Sequence, residues 1–269
     1  MITLHYTLAD AAGWAKFSGD YNPIHFDLKW VQAAGGEQLS VHGMRALLDA
    51  KQFASERFLH RSQDAQQRTK SAFIKCVVRL RSPLWNDKFY DLVARNKAGS
   101  VAILSTEEQQ NCLTCQLSPL DSLNINVMDW EGSISSADMA KLQLSFPLYP
   151  MEMYEWQFMD AILFQYLIHD NSLLKQKDIS KWLPEGATLK DIFSRYPIVQ
   201  THQEVIFDSD LLKKWSPMSK PNSMKIQILP ALVMGDLASG LLISINIVGS
   251  YENKLISNSI TLKVNALNR

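Results

Sequence analysis

The chain has 269 residues, with 27 basic against 27 acidic side chains and no formal net charge. At 46 % hydrophobic and 20 % charged residues it carries enough apolar material for a packed core, which excludes intrinsic disorder. The balanced charge excludes a large basic footprint for nucleic acid. Splitting at position 130 gives 14 basic and 13 acidic residues before it and 13 and 14 after it, so neither half is a charged tail or a polybasic membrane patch.

The length fits one large or two small domains. Met1-Ile2-Thr3-Leu4-His5-Tyr6 has no basic start followed by an apolar run, so no signal peptide is expected. The most apolar window, Met151 to Ile168, carries Glu152, Glu155, Gln157, Asp160 and Gln165, too many polar groups for a membrane span. Three cysteines do not make a disulfide framework. These features predict a soluble protein of the reducing cytoplasm.

Residues 2–8 alternate apolar and polar and predict a short strand. Residues 10–17 suit one or two helical turns, and Ser18-Gly19-Asp20-Tyr21-Asn22-Pro23 is turn-rich. From Val41 to His60 the pattern is helical: Met44, Leu47, Leu48, Ala54, Phe58 and Leu59 lie close to one face, with Arg45, Asp49, Glu56 and Arg57 largely elsewhere. A polar loop, residues 61–70, precedes strands over 72–80, 88–95 and 100–117, with Asn96-Lys97-Ala98-Gly99 as a hairpin turn. Residues 118–150, with Pro119, Pro147 and Pro150, read as a connection. A second helix over Met151–His169 is apolar nearly all round, the mark of a buried helix. Strands recur at 198–207, 224–229, 241–248 and 255–264, with a hairpin at Asn253-Lys254. Each half thus runs from a long helix into an antiparallel meander, an α+β arrangement. The predicted domains are residues 1–125 and 126–269.

The chemistry lies in Phe17-Ser18-Gly19-Asp20-Tyr21-Asn22-Pro23-Ile24-His25 and, 17 residues beyond His25, in His42-Gly43-Met44. Pro23 forbids a regular helix between Asp20 and His25, so an Asn-Pro turn has to bring their side chains together. A carboxylate and an imidazole around one water form a proton-transfer pair. Gly43 lies in the first helical turn, where backbone N–H groups lack intrahelical partners and the dipole favours negative charge. A glycine there lets a ligand approach the backbone closely, as a developing enolate oxygen would require.

In these residues the sequence resembles the MaoC-like, or R-specific enoyl-thioester hydratase, family of hot-dog folds. That motif runs aromatic–Ser–Gly–Asp–x–Asn–Pro–aliphatic–His, then His–Gly–Met at the start of the long helix, and it matches residues 14–44 closely. Arg81-Ser82-Pro83-Leu84-Trp85-Asn86-Asp87 is similar to the family's strand-entry segment. The resemblance implies a double hot-dog, each half a long central helix wrapped by an antiparallel sheet, with a degenerate second half that shapes the acyl pocket. It implies interconversion of trans-2-enoyl and (R)-3-hydroxyacyl thioesters of coenzyme A or acyl carrier protein, a hydro-lyase reaction without metal or redox cofactor. Asp20 and His25 would be catalytic, Asn22 would orient them, and the Gly43 N–H would bind the thioester oxygen. A homodimer of double hot-dogs is the assembly it suggests. Three positions depart from the motif: Val31 stands where a small residue is usual, Leu28 follows Asp27 where proline is common, and Ser40 replaces an aliphatic residue.

Two other readings stay open: a non-catalytic acyl-binding or assembly subunit, and a thioesterase of the same fold using acids on the long helix, where Asp49 and Glu56 occur. Arg79 and Arg81 are candidates for the mouth that receives the carrier arm. Cys112 and Cys115 sit three apart on a predicted strand, so they face opposite sides and do not read as a metal or redox pair. His60, His169 and His202 read as surface or satisfied histidines, and Gly235, Asp236 and Gly240 as turn residues. No phosphate-loop or dinucleotide fingerprint occurs.

Overall fold

The computed structural model describes residues 1–61, 71–125, 130–148, 153–170, 198–216, 219–236 and 240–264, together with Ser172, Lys175, Gln176 and Ser180. Strand β1 (Ile2–His5) leads into helix α1 (Leu8–Ser18). Asp10 Oδ2 accepts from both the backbone N–H and the hydroxyl of Thr7 at 2.9 Å, closing the helix start. Gly19 ends it at φ +83°, a left-handed conformation that favours glycine. A 3-10 turn (Pro23–His25), helix α2 (Leu28–Ala33) and the long helix α3 (Gly43–Arg61) follow. Strands β2 (Phe73–Leu80), β3 (Phe89–Ala94), β4 (Ser100–Ser105) and β5 (Asn111–Leu120) complete the first half.

Strand β6 (Gly132–Ile134), helix α4 (Ser136–Ser145), the short β7 (Met153–Tyr154) and helix α5 (Glu155–His169) open the second half. Strands β8 (Ile198–Asp208), β9 (Lys214–Trp215), β10 (Met224–Ile228), β11 (Leu232–Asp236), β12 (Gly240–Tyr251) and β13 (Lys254–Val264) finish it. Eleven strands form one antiparallel sheet in the order β1-β3-β4-β5-β2-β8-β13-β12-β10-β6, with β11 beside β12; β7 and β9 pair separately. The β2–β8 ladder, from Phe73↔Asp208 to Arg79↔His202, makes the two halves one sheet.

Helices α3 and α5 carry the core. Leu47, Leu48, Ala50 and Ala54 of α3 and Trp156, Phe158, Ile162 and Leu163 of α5 are all within 1 % of complete burial. Trp156 stacks on Phe207 of β8 at 4.5 Å and 5°. No helix is long and apolar enough among the described residues to cross a membrane.

Several boundaries differ from the sequence expectation. The strand predicted over 100–117 is two strands, β4 and β5, because residues 106–110 are polar and turn with Gln109 at φ +52°. The predicted connection over 118–150 holds the end of β5, all of β6 and helix α4; Ser135 caps α4 by accepting from the Asp138 N–H at 3.1 Å. Helix α2, capped by Asp27 through the Trp30 N–H at 3.0 Å, and strand β11 were not predicted. The β12–β13 turn residues are Glu252 and Asn253, at φ +51° and +62°, one position before the expected pair. The second helix starts at Glu155 rather than Met151, after β7. Most of the polar loop expected over 61–70, and residues 149–152, lie outside the described residues.

Candidate active site

The turn that follows α1 is built by its own polar side chains. The Ser18 hydroxyl donates to the Trp14 carbonyl at 2.8 Å and accepts from the Asp20 N–H at 3.1 Å. Asp20 Oδ1 accepts from the Asn22 N–H at 3.3 Å, and Asn22 Oδ1 accepts from the Ile24 N–H at 3.3 Å, which caps the 3-10 turn ending at His25. Asn22 therefore shapes the turn through the backbone rather than by a side-chain bond to His25. The Ser40 N–H then donates to the Ile24 carbonyl at 3.0 Å, tying the turn to the approach of α3.

Two backbone carbonyls fix the histidine tautomers. His25 Nδ1–H donates to the Ser40 carbonyl at 2.7 Å, which leaves the lone pair on Nε2. His42 Nε2–H donates to the Asp20 carbonyl at 3.0 Å, which leaves a lone pair on Nδ1, buried and without a partner. The two imidazoles stack with centroids 3.6 Å apart and planes 27° apart. Asp20, His25 and His42 are all buried, and one ligand atom of each lies within 4.8 Å of the others. Carboxylate and imidazole atoms at such a separation can share one bridging water.

Electrostatics favours uncharged groups here. Burial, then the neighbouring His42 imidazole, holds His25 down at about 3, against the pull of Asp20 and the Ser40 carbonyl. Burial holds His42 at about 4. Burial pushes the Asp20 carboxyl up, and His25 and the Asn22 N–H draw it back. Depressing the imidazole favours its neutral form, which keeps Nε2 free to accept a proton, while burial makes the carboxyl hold its proton more tightly than usual.

Two imidazoles and a carboxylate suggest a metal centre by composition. An imidazole binds a metal in its ring plane at about 2 Å, and rings stacked in near-parallel planes do not converge on one ion. This arrangement suits proton transfer better.

A cavity of about 320 Å³ opens beside the pair. Asp20, Asn22, His25 and Gly43 line it from the first half; Phe164, Ile198, Gln200 and Leu262 line it from the second. Gly43 is the first residue of α3, so its N–H has no intrahelical acceptor. A Cβ on Gly43 would lie 2.7 Å from Leu80 Cδ2, so a side chain there would require the end of Leu80 to shift. All four residues singled out in the sequence (Asp20, Asn22, His25 and Gly43) thus stand at one cavity.

Other sequence candidates separate. Arg81 lines the cavity and Arg79 does not. Asp49 accepts from Tyr6 Oη–H at 2.9 Å and pairs with Arg45 at 2.7 Å, and Glu56 accepts from Gln52 at 2.8 Å; neither acid lines the cavity. Cys112 lines the cavity while Cys115 Sγ lies 3.5 Å from Cys76 Sγ, so the C-x-x-C pair diverges as expected of a strand. His42, missed as a site residue, had one signal in the sequence: its place directly before Gly43.

No family model matches the chain and no curated protein matches it in sequence. Solved structures align with it over most of its length, each at a TM-score below 0.5. A MaoC-like dehydratase aligns over 98 % of this chain and 95 % of its own, at 10 % identity and a TM-score of 0.46. An oleoyl thioesterase from Lactobacillus plantarum aligns over 98 % and 95 %, at 8 % identity and 0.43. The dehydratase domain of PpsC from Mycobacterium tuberculosis, in complex with C12:1-CoA, aligns over 85 % of this chain and 86 % of its own, at 11 % identity and 0.40. The structural neighbours include both MaoC-like dehydratases and proteins described as thioesterases.

Proposed function

We propose that the protein is a double hot-dog acyl-thioester hydratase, adding water reversibly across the double bond of a trans-2-enoyl thioester to give the (R)-3-hydroxyacyl thioester. The observation that carries this reading is the convergence of a buried carboxylate, a lone-pair Nε2 on His25 and the N–H at the start of α3, which has no intrahelical acceptor, on one cavity. The enoyl carbonyl oxygen sits over Gly43, where the N–H and the helix dipole stabilise negative charge. A water held between Asp20 and His25 gives a proton to His25 Nε2 as its oxygen bonds to the β-carbon. The electron pair of the double bond moves to the carbonyl oxygen as an enolate, which collapses as the α-carbon takes the proton back. Asp20 accepts a hydrogen bond from the second hydrogen of the water, which stays on the oxygen as the 3-hydroxyl, and stabilises the transient imidazolium. The thioester supplies the acidity of the α-proton, so the residues present suffice for every step.

The second half shows no copy of the acid–base turn in its sequence. Its contribution is the wall formed by Phe164, Ile198 and Leu262, which suits an acyl chain. The acids that a hydrolase reading would place on α3 are paired away from this cavity, which favours the hydratase over the thioesterase.

The test is hydration of crotonyl-CoA, followed as loss of enoyl absorbance, with release of free thiol measured in parallel. Asp20→Asn preserves an acceptor for the Asn22 N–H and should lower turnover by about 10²–10⁴-fold. Undiminished hydration by that variant sinks the assignment of Asp20. Thiol release without hydration makes the protein a thioesterase, and binding with neither activity makes it an acyl-binding subunit.

A further inference from the structure

Strand β8 carries one extra residue where it passes the cavity. Its ladder with β13 shifts register between Thr261 and Leu262: Thr261 faces His202 and Leu262 faces Gln200, so Thr201 is left out of the pairing. A bulge reverses the side-chain alternation beyond it. Along the strand from its far end, Phe207, Val205 and Gln203 point into the core with no exposure. Unbroken alternation would continue with Thr201 and Val199. Instead Ile198 is 3 % exposed and Val199 40 % exposed, so the inward face changes beyond the bulge, and Gln200 lines the cavity together with its neighbours Val199 and Thr201.

Gln200 stands directly against the start of α3. Its Oε1 is 3.6 Å from the point that a Cβ on Gly43 would occupy. Its Nε2 is buried and has no hydrogen-bond partner among the described residues, an unfavourable state for a buried donor. The terminal torsion of a glutamine is soft and two-fold, so a half-turn of the amide presents the NH₂ to an oxygen seated over Gly43 without changing the packed volume.

We propose that the Gln200 side chain is a catalytic residue supplied by the second half: its amide donates to the thioester carbonyl oxygen beside the Gly43 N–H, making a two-donor oxyanion site shared by α3 and β8. The inference rests on the hydratase reading of the cavity and adds to it a specific role for the half that lacks the acid–base turn. The carbonyl of the substrate is polarised from both sides, and a bound thioester gives the buried Gln200 donor an acceptor.

Two measurements test this. Gln200→Met keeps the length and volume of the side chain and removes the donor; Gln200→Glu puts an acceptor in its place. In steady-state hydration of crotonyl-CoA, Gln200→Met should lower kcat by about 10²-fold, within the range for loss of one oxyanion donor. KM should move by only a few-fold, with the thermal melt of the variant close to that of the parent, and Gln200→Glu should be at least as impaired. The second measurement is the infrared carbonyl stretch of crotonyl-CoA, isotopically labelled at the carbonyl, bound to Asp20→Asn protein. The band should lie below that of free thioester and return part of the way when Gln200→Met is added. A kcat within twofold of wild type together with an unmoved band overturns the role of Gln200 and leaves the hydratase reading standing. A band that moves with Gln200 in a protein that never hydrates the substrate supports the contact and overturns the hydratase reading. Absence of any crotonyl-CoA binding overturns both.

Discussion

Lys51 of α3 and Asp160 of α5 form an ion pair with no solvent exposure, Nζ to Oδ2 at 2.5 Å, between the two central helices. Lys51 Nζ also donates to Gln203 Oε1 at 2.7 Å and lies 5.8 Å from the centre of the Trp156 ring. Asp160 Oδ1 accepts from Gln203 Nε2 at 3.0 Å and from Asn258 Nδ2 at 2.8 Å. Both charges are therefore met by groups from α3, α5, β8 and β13. Asp160→Ala removes the counter-charge and leaves a buried ammonium with one amide oxygen as its hydrogen-bond acceptor. Breaking one side of such a pair costs about 3–5 kcal/mol, a roughly hundred- to several-thousand-fold fall in the folded-to-unfolded ratio, against a total stability of about 5–15 kcal/mol for a typical protein. The double change Lys51→Met with Asp160→Leu removes both charges and fills the space. It should recover most of that loss, because desolvating an ion pair offsets much of its attraction. Urea unfolding followed by tryptophan fluorescence and by far-ultraviolet dichroism reads both effects, with coincident transitions as the check on two-state behaviour. A loss below about 1 kcal/mol in Asp160→Ala, or a double variant no more stable than the single, would refute the reasoning that these charges are dry and mutually dependent.

Two further outcomes follow from the site. Gly43→Ala places a methyl 2.7 Å from Leu80 Cδ2 at the edge of the cavity; the flexible end of Leu80 can give way, so stability should change little while hydration turnover should fall by about 10–10²-fold through displacement of the bound carbonyl, and wild-type turnover would show that nothing binds over this position. The second concerns acid stability. His25 and His42 titrate at about 3 and about 4 in the folded protein against 6.5 for an ordinary histidine. The unfolded chain therefore binds more protons between these limits, and folding stability is fully present above about pH 6.5 and falls on acidification, by up to about 1.4 kcal/mol per pH unit for each ring. Asp20, raised by burial, works in the opposite sense and recovers stability as pH falls through its folded value. The net loss between pH 6.5 and 4 should shrink in His42→Phe, which keeps an aromatic ring beside His25; unfolding midpoints measured at several pH values give the slopes, and equal slopes in both proteins would contradict it.

Much of the site was legible before any coordinates. Asp20, Asn22, His25 and Gly43 are tied to a turn and to a helix start, and both are local structures dictated by neighbours in the chain. Pro23 bars a helix, Asn22 caps the 3-10 turn, and glycine suits the crowded first turn of α3. His42 was passed over because a histidine before a helix usually only marks its end. Its stacking on His25 depends on the Asp20 carbonyl, 22 residues away, accepting its Nε2–H.

The same division holds for the fold. Hydrophobic periodicity determined two long helices and most of the strands, because that pattern is a property of each segment alone. It could not place the turn at 106–110 or strand β11, where polar runs and short segments carry weak periodicity. Tertiary structure alone decided that β2 pairs with β8 to make one sheet from two halves, that Lys51 and Asp160 meet in the core, and that a bulge turns Gln200 toward Gly43. Each of these joins residues more than 100 positions apart. Their partners are selected by burial and by hydrogen-bond satisfaction in the assembled core, quantities with no value until the chain has folded.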